Sequence, residues 1–164
     1  MKLAGEVADG VIISGPRRYI EKATALVREG LERRRERPPN TFDIVVWVPT
    51  ILIRHGEDLN LARETVALVA ADAPKQIIEM AEIDREKVQA VHEAVFKFGV
   101  KEAARLVTED LLKDFSLYGD EEQICQSFRS LAKYGVNKVV FGPPYGRDWR
   151  NAAIDVVGAW RNQT

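Results

Sequence analysis

Apolar residues in this chain follow two rhythms. In three short runs they are almost continuous: residues 10–14 (GVIIS), 42–52 (FDIVVWVPTIL) and 138–142 (KVVFG). These runs are rich in β-branched residues, alternate little with polar ones and are bounded by Gly or Pro. That is the signature of strands covered on both faces, as in a parallel sheet. Elsewhere the apolar positions recur at helical spacing.

The helical segments can be placed by their start and stop residues. Residues 2–8 read as the last turns of a helix, stopped by Asp9-Gly10. Gly15-Pro16 opens a second helix with Ile20, Ala23, Val27 and Leu31 on one face. Residues 57–71 form a third, with Leu61 and Leu68 expected inward, and Pro74 suits the first turn of a short fourth (PKQIIEMA). Asp84 is placed to cap a helix whose inner face is Val88, Val91 and Val95 and whose stop is Gly99. Residues 101–107 and a piece opened by Thr108 extend this helical insert. Asp120 with Gln123 forms a capping-box pattern ahead of Ile124, Phe128 and Leu131, ending near Gly135. A last helix runs over about 149–158. The stretch RRRERPPNT (33–41) reads as a loop, with Arg33, Arg34 and Arg35 a solvated helix end.

Strands alternating with helices imply right-handed crossovers and a parallel sheet, hence an α/β fold in one domain over 1–164. Three strands with their own crossovers supply too few helices to cover both faces of a doubly wound sheet. They are also well short of the eight strands and about 250 residues of a closed (β/α)8 barrel. Two architectures fit. One is an open three-stranded domain that buries its sheet under the helical insert. The other, which we favour, is a partial barrel whose inner face and edges another polypeptide completes, because an uncovered parallel sheet leaves apolar surface and unpaired edges in water.

Composition narrows the setting. Of the 164 residues, 46% are hydrophobic and 30% charged, as in an ordinary globular protein, and the formal charge of -1 offers no long-range attraction to nucleic acid or membrane. Cys125 is the only cysteine, so no intrachain disulfide exists, and no apolar run approaches the roughly 20 residues of a membrane span. A cytoplasmic protein binding neither nucleic acid nor membrane is expected.

Two stretches carry a resemblance. KLAGEVADGVIIS near one end and FSLYGDEEQICQSFRSLAKYGVNKVVFGPPYGRD near the other resemble, in order and separation, the bacterial-luciferase-like superfamily. The likeness is strongest to its deazaflavin-dependent branch, which includes the methylenetetrahydromethanopterin reductases. The resemblance implies that the three strands are the sixth to eighth of a (β/α)8 TIM barrel. It implies an oxidoreductase, or a component of one, that transfers hydride from coenzyme F-420 (a deazaflavin) or FMN to a pterin-like or other small substrate. In that family a strand and a Gly-Pro turn precede the KLAGE helix. The N-terminal half of the barrel carries most coenzyme contacts and the catalytic groups, so no proton donor is assigned in this chain. The implied partner is a second copy or a separate N-terminal half-barrel chain. A non-catalytic half-barrel module is the alternative.

Candidate chemistry sits at the C-terminal ends of the strands, where barrel enzymes work. After the first strand, Ser14, Gly15, Pro16 and Arg17, with Arg18 beside them, form a small-residue turn into a helix N-terminus, suited to an anion; simple helix capping is the competing explanation. Around the second, Trp47 offers a flat wall, or core, and His55 with Glu57-Asp58 lacks a second histidine at metal-ligand spacing. After the third, Gly142 permits close backbone approach, Pro143-Pro144 stiffens the loop and Arg147 suits a carboxylate or phosphate. A turn into the last helix, capped by Asp148, explains the same residues equally well. The resemblance assigns Ser14, Gly15, Pro16, Arg17, Gly142, Pro143 and Arg147 to the polar ends of coenzyme or substrate. Cys125, between Ile124 and Phe128, reads as a packing residue.

Overall fold

The second apolar run becomes the axis of the molecule in the computed structural model, which describes residues 1–35 and 42–162. In chain order the elements are α1 (Lys2–Val7), β1 (Gly10–Ile13), α2 (Arg17–Glu32) and β2 (Asp43–Leu52). The insert follows as α3 (Gly56–Ala71), α4 (Lys75–Met80), α5 (Arg85–Phe98), α6 (Val100–Ala103), a 3-10 turn (Ala104–Leu106) and α7 (Glu109–Phe115). The chain then returns through β3 (Leu117–Gly119), α8 (Glu121–Ala132), β4 (Lys138–Tyr145) and α9 (Trp149–Arg161). Of the expected loop at 33–41, residues 36–41 lie outside the described residues.

All pairings are parallel, as the β-helix alternation required. Val45 pairs with Ile12 of β1 and with Lys138 of β4, so those strands flank β2 on opposite edges. Ile51 pairs with Tyr118 of β3 and with Tyr145 of β4. Hence β1 and β3 follow one another along the same edge of β2. At the start of β4, Asn137 prolongs the ladder with its side chain: Ile44 N–H donates to its Oδ1 at 3.0 Å, and its Nδ2 donates to the Phe42 carbonyl at 2.9 Å.

The two faces of this sheet differ sharply. On one, Ile13, Ile44, Val46 and Val48 are buried against Ile20, Ala23 and Val27 of α2, Ile124, Phe128 and Leu131 of α8, and Ala152 and Val156 of α9. On the other, the register aligns Ile12 with Val45 and Trp47 with Val140, and Ile12, Trp47 and Val140 are 71%, 44% and 45% exposed. A second core, in the insert, joins α3, α5 and α7 to Ile51. Arg18 ties the two bodies together, bonding the Asp114 carboxylate at 2.6 Å and the Glu82 carbonyl at 3.1 Å. The insert therefore builds its own core and does not cover the open face.

Close approach explains α1. It crosses α2 at Gly5 and Gly30, where a Cβ on Gly30 would lie 2.0 Å from the Lys2 carbonyl oxygen. The Arg34 guanidinium then closes the end of α1, donating to the Ala8 carbonyl at 2.6 Å, so this arginine is a cap for a neighbouring helix and not merely solvated.

Several local expectations are corrected. Among the described residues the sheet has four strands, not three: β3 is only three residues long and lies inside a stretch where turn and cap residues dominate the pattern. β4 continues to Tyr145, so Pro143 and Pro144 belong to the strand and not to a turn. They sit where the pairing slips, between Pro49–Gly142 and Ile51–Tyr145, as suits residues without a backbone N–H. Leu68 is 52% exposed, because α3 is apolar on more than one side and its small face (Ala62, Val66, Ala67, Ala70) is the one buried in the insert core with Val88 and Val91 of α5.

Candidate functional site

The strand ends form two separate polar regions. The first lies where β1 leads into α2. Ser14 is exposed, Gly15 adopts φ 146° beneath the Tyr19 ring, and buried Pro16 stands at the N-cap position. Among the described residues no side chain caps α2, and its first turn holds no acid, so this end keeps the positive character of an uncapped helix start. Arg17 turns aside to donate to Ser130 Oγ at 2.6 Å. It lines a cleft of about 610 Å³ between α2, α7 and α8 together with Lys113, Tyr118, Gln123, Ser127 and Ser130. Burial pushes the Tyr118 hydroxyl above its ordinary pKa, with the Glu109 carboxylate adding to the effect, so it stays protonated at neutral pH. Much of the cleft's charge is balanced internally, with Lys113 on Glu109 at 2.6 Å and Asp114 on Arg18.

The second region joins the ends of β2 and β4. Asp58, 4% exposed, accepts the backbone N–H groups of Arg54 at 3.0 Å, His55 at 2.9 Å and Arg147 at 3.1 Å. Burial alone would raise its pKa, but these three bonds outweigh burial and hold the carboxyl below its usual range. A pocket of about 130 Å³ lies over it, bordered by Arg54, His55, Gly146 and Arg147. Arg147 pairs with Glu57 at 2.6 Å, and Arg54 pairs with both Glu121 and Asp155.

The residues named from sequence thus divide. Arg17 belongs to the first region and Arg147 to the second, and β1 and β4 stand on opposite edges of β2, roughly 10 Å apart. Gly142 is buried opposite Pro49, and a Cβ there would lie 2.7 Å from the Val48 carbonyl oxygen. Close packing of β4 on β2 therefore accounts for this glycine. Pro143 is exposed and joined to Pro144 by a cis peptide. Trp47 lies on the open sheet face with Ile12 and Val140. Among the described residues no group of three or more His, Cys, Asp or Glu is disposed to hold a metal ion. Tyr118 and Lys113 were not foreseen: Tyr118 lies in β3, whose three residues give no periodicity, and Lys113 of α7 reaches the cleft only through the tertiary packing that sets it beside Arg17 and Ser130.

The comparisons with known proteins converge on this architecture. Residues 1–138 match the model of the luciferase-like monooxygenase family, and the chain belongs to that family. Among its relatives, the 5,10-methylenetetrahydromethanopterin reductase of Methanopyrus kandleri is 33% identical over 162 residues, and that of Archaeoglobus fulgidus is 29% identical over 165. Each match takes in 96% of this chain but only 45% and 49% of the relative, so the chain spans about half their length. The solved structure of the coenzyme F-420-dependent tetrahydromethanopterin reductase from Methanopyrus kandleri superposes with a TM-score of 0.82 at 30% identity. It does so over 96% of this chain and 45% of that one. The parallel α/β sheet is shared with that reductase. No described helix is long and apolar enough to cross a membrane.

Proposed function

We propose that the chain is the strand-six-to-eight sector of a luciferase-like (β/α)8 barrel and contributes to hydride transfer with coenzyme F-420, or with FMN, onto a pterin-like or other small substrate. The observation that carries this is a sheet with one helix-covered face and one apolar open face, in a chain similar along nearly all its length to half of a coenzyme F-420-dependent reductase. The open face and the outer edges of β1 and β4 are to be covered by further strands, supplied by an N-terminal half-barrel or by a second copy.

The residues present fit one side of such a coenzyme. Ser14, Gly15 and the uncapped start of α2 offer N–H donors to an anionic group, with Arg17 adjacent. Arg147 offers a guanidinium at the opposite rim, its backbone N–H held by Asp58 and its side chain paired with Glu57, while Pro143 shapes that rim. Trp47, Ile12 and Val140 supply apolar wall and exclude water. The bound ring system supplies the hydride chemistry.

Titration with coenzyme F-420 and with FMN, followed by fluorescence, tests the reading. Saturable binding that weakens in the Arg17→Ala/Arg147→Ala variant supports it. Unchanged affinity in that variant removes both arginines, and no binding by the chain joined with an N-terminal half-barrel overturns the hydride-transfer role in favour of a non-catalytic module.

A further inference from the structure

The arginines at the strand ends differ in what already occupies their guanidinium groups. Arg18 is clamped by both oxygens of Asp114, at 3.2 and 2.6 Å, and that carboxylate is only 11% exposed. Arg54 is shared by Glu121 and Asp155. Arg17 donates to the uncharged hydroxyl of Ser130. Arg147 is intermediate: among the described residues its ion-pair partner is one carboxylate, Glu57, at 2.6 Å, and the two side chains are 68% and 64% exposed.

Two neighbouring acids in the first turn of α3 thus hold Arg147 in different ways. Asp58 fixes its backbone, because β4 ends in a turn with Tyr145 at φ 67° and Gly146 at φ 115° that presents the Arg147 N–H to the buried carboxylate. Glu57 takes its side chain. The first hold is buried and made through three backbone N–H groups, so it persists. The second is an exposed pair of small net worth, and a released Glu57 stays in the first turn of α3, where the helix dipole favours a carboxylate.

We propose that Glu57 is a built-in competitor for the anionic end of the ligand. It occupies the Arg147 guanidinium, and a ligand oxyanion binds there by displacing it while Asp58 keeps the arginine backbone in place. This rests on the assignment of Arg147 to the coenzyme or substrate rim.

Titration of the chain, alone and joined with an N-terminal half-barrel, with FMN and with coenzyme F-420 at low salt tests it. Arg147→Ala is expected to weaken binding of at least one of them. Glu57→Gln, at an exposed position whose substitution leaves the core untouched, should tighten that binding by about two- to fivefold, as much as an exposed pair can withhold. The gain should shrink as salt rises. In the Arg147→Ala background Glu57→Gln should leave affinity nearly unchanged, since no pair remains to break. Equal tightening in both backgrounds would show a carboxylate that only repels the ligand, and no tightening in either would show an idle surface pair. Each of these results overturns the competitor while leaving Arg147 at the rim. No binding of either probe, or an Arg147→Ala variant that binds like wild type, instead removes Arg147 from the rim and the competitor with it.

Discussion

Asp58 Oδ1 accepts the backbone N–H of Arg147 at 3.1 Å across 89 residues of sequence, while its Oδ2 accepts those of Arg54 and His55. One buried carboxylate thereby fixes the loops that leave β2 and β4. Asp58→Ala should cost about 2–3 kcal/mol, since hydrogen bonds to a charged partner are lost and donors are left buried. Because the folded carboxyl titrates below its unfolded value, its contribution is fully present above about pH 4 and fades as the pH falls through the folded pKa. Urea midpoints of wild type and variant should therefore converge in acid. A gap independent of pH would mean that charge is not what matters at this position.

Neighbouring residues of β1 report which face is covered. Ile13 is 1% exposed and Ile12 is 71% exposed. In the isolated chain Ile13→Ala should cost about 2–4 kcal/mol, while Ile12→Ala should change stability by no more than about 0.5 kcal/mol. Once a covering polypeptide is bound, Ile12→Ala should weaken that association. Equal costs in the isolated chain would mean that the face is already sheltered.

The crossing of α1 over α2 leaves no room at Gly30. Gly30→Ala places a methyl group against the Lys2 carbonyl and should cost about 1–3 kcal/mol, the range for overpacking. Amide exchange should show α1 opening first. Wild-type protection of α1 in this variant would refute the tight crossing.

Cys125 is fully buried, and burial raises its thiol pKa. The native thiol should stay protonated at neutral pH and react with a disulfide reagent only as fast as the chain unfolds. Rapid labelling of folded protein would require a path to the sulfur that the packing of α8 does not provide.

Much of the local structure was legible in the chain. Asp84, Thr108 and Asp120 each accept backbone N–H bonds at the helix starts where the sequence placed caps, because capping needs only residues within a few positions. The three long strands and their parallel sense followed in the same way from apolar continuity and alternation. β3, the extension of β4 through Pro143-Pro144 and the outward turn of Leu68 did not, since each depends on a neighbour remote in sequence.

The candidate site shows the same division. Glycine, proline and arginine at the strand ends could be picked out as residues suited to anions. Only the fold turns Arg17 toward Ser130, gives Gly142 the task of letting two strands close, and sets Arg147 on the backbone hold of Asp58. The open face behind Ile12 and Trp47 is likewise a tertiary fact. Periodicity records that a strand is apolar on both sides, whereas the cover on each side is decided by which helices the crossovers deliver there, and here they deliver them to one side alone.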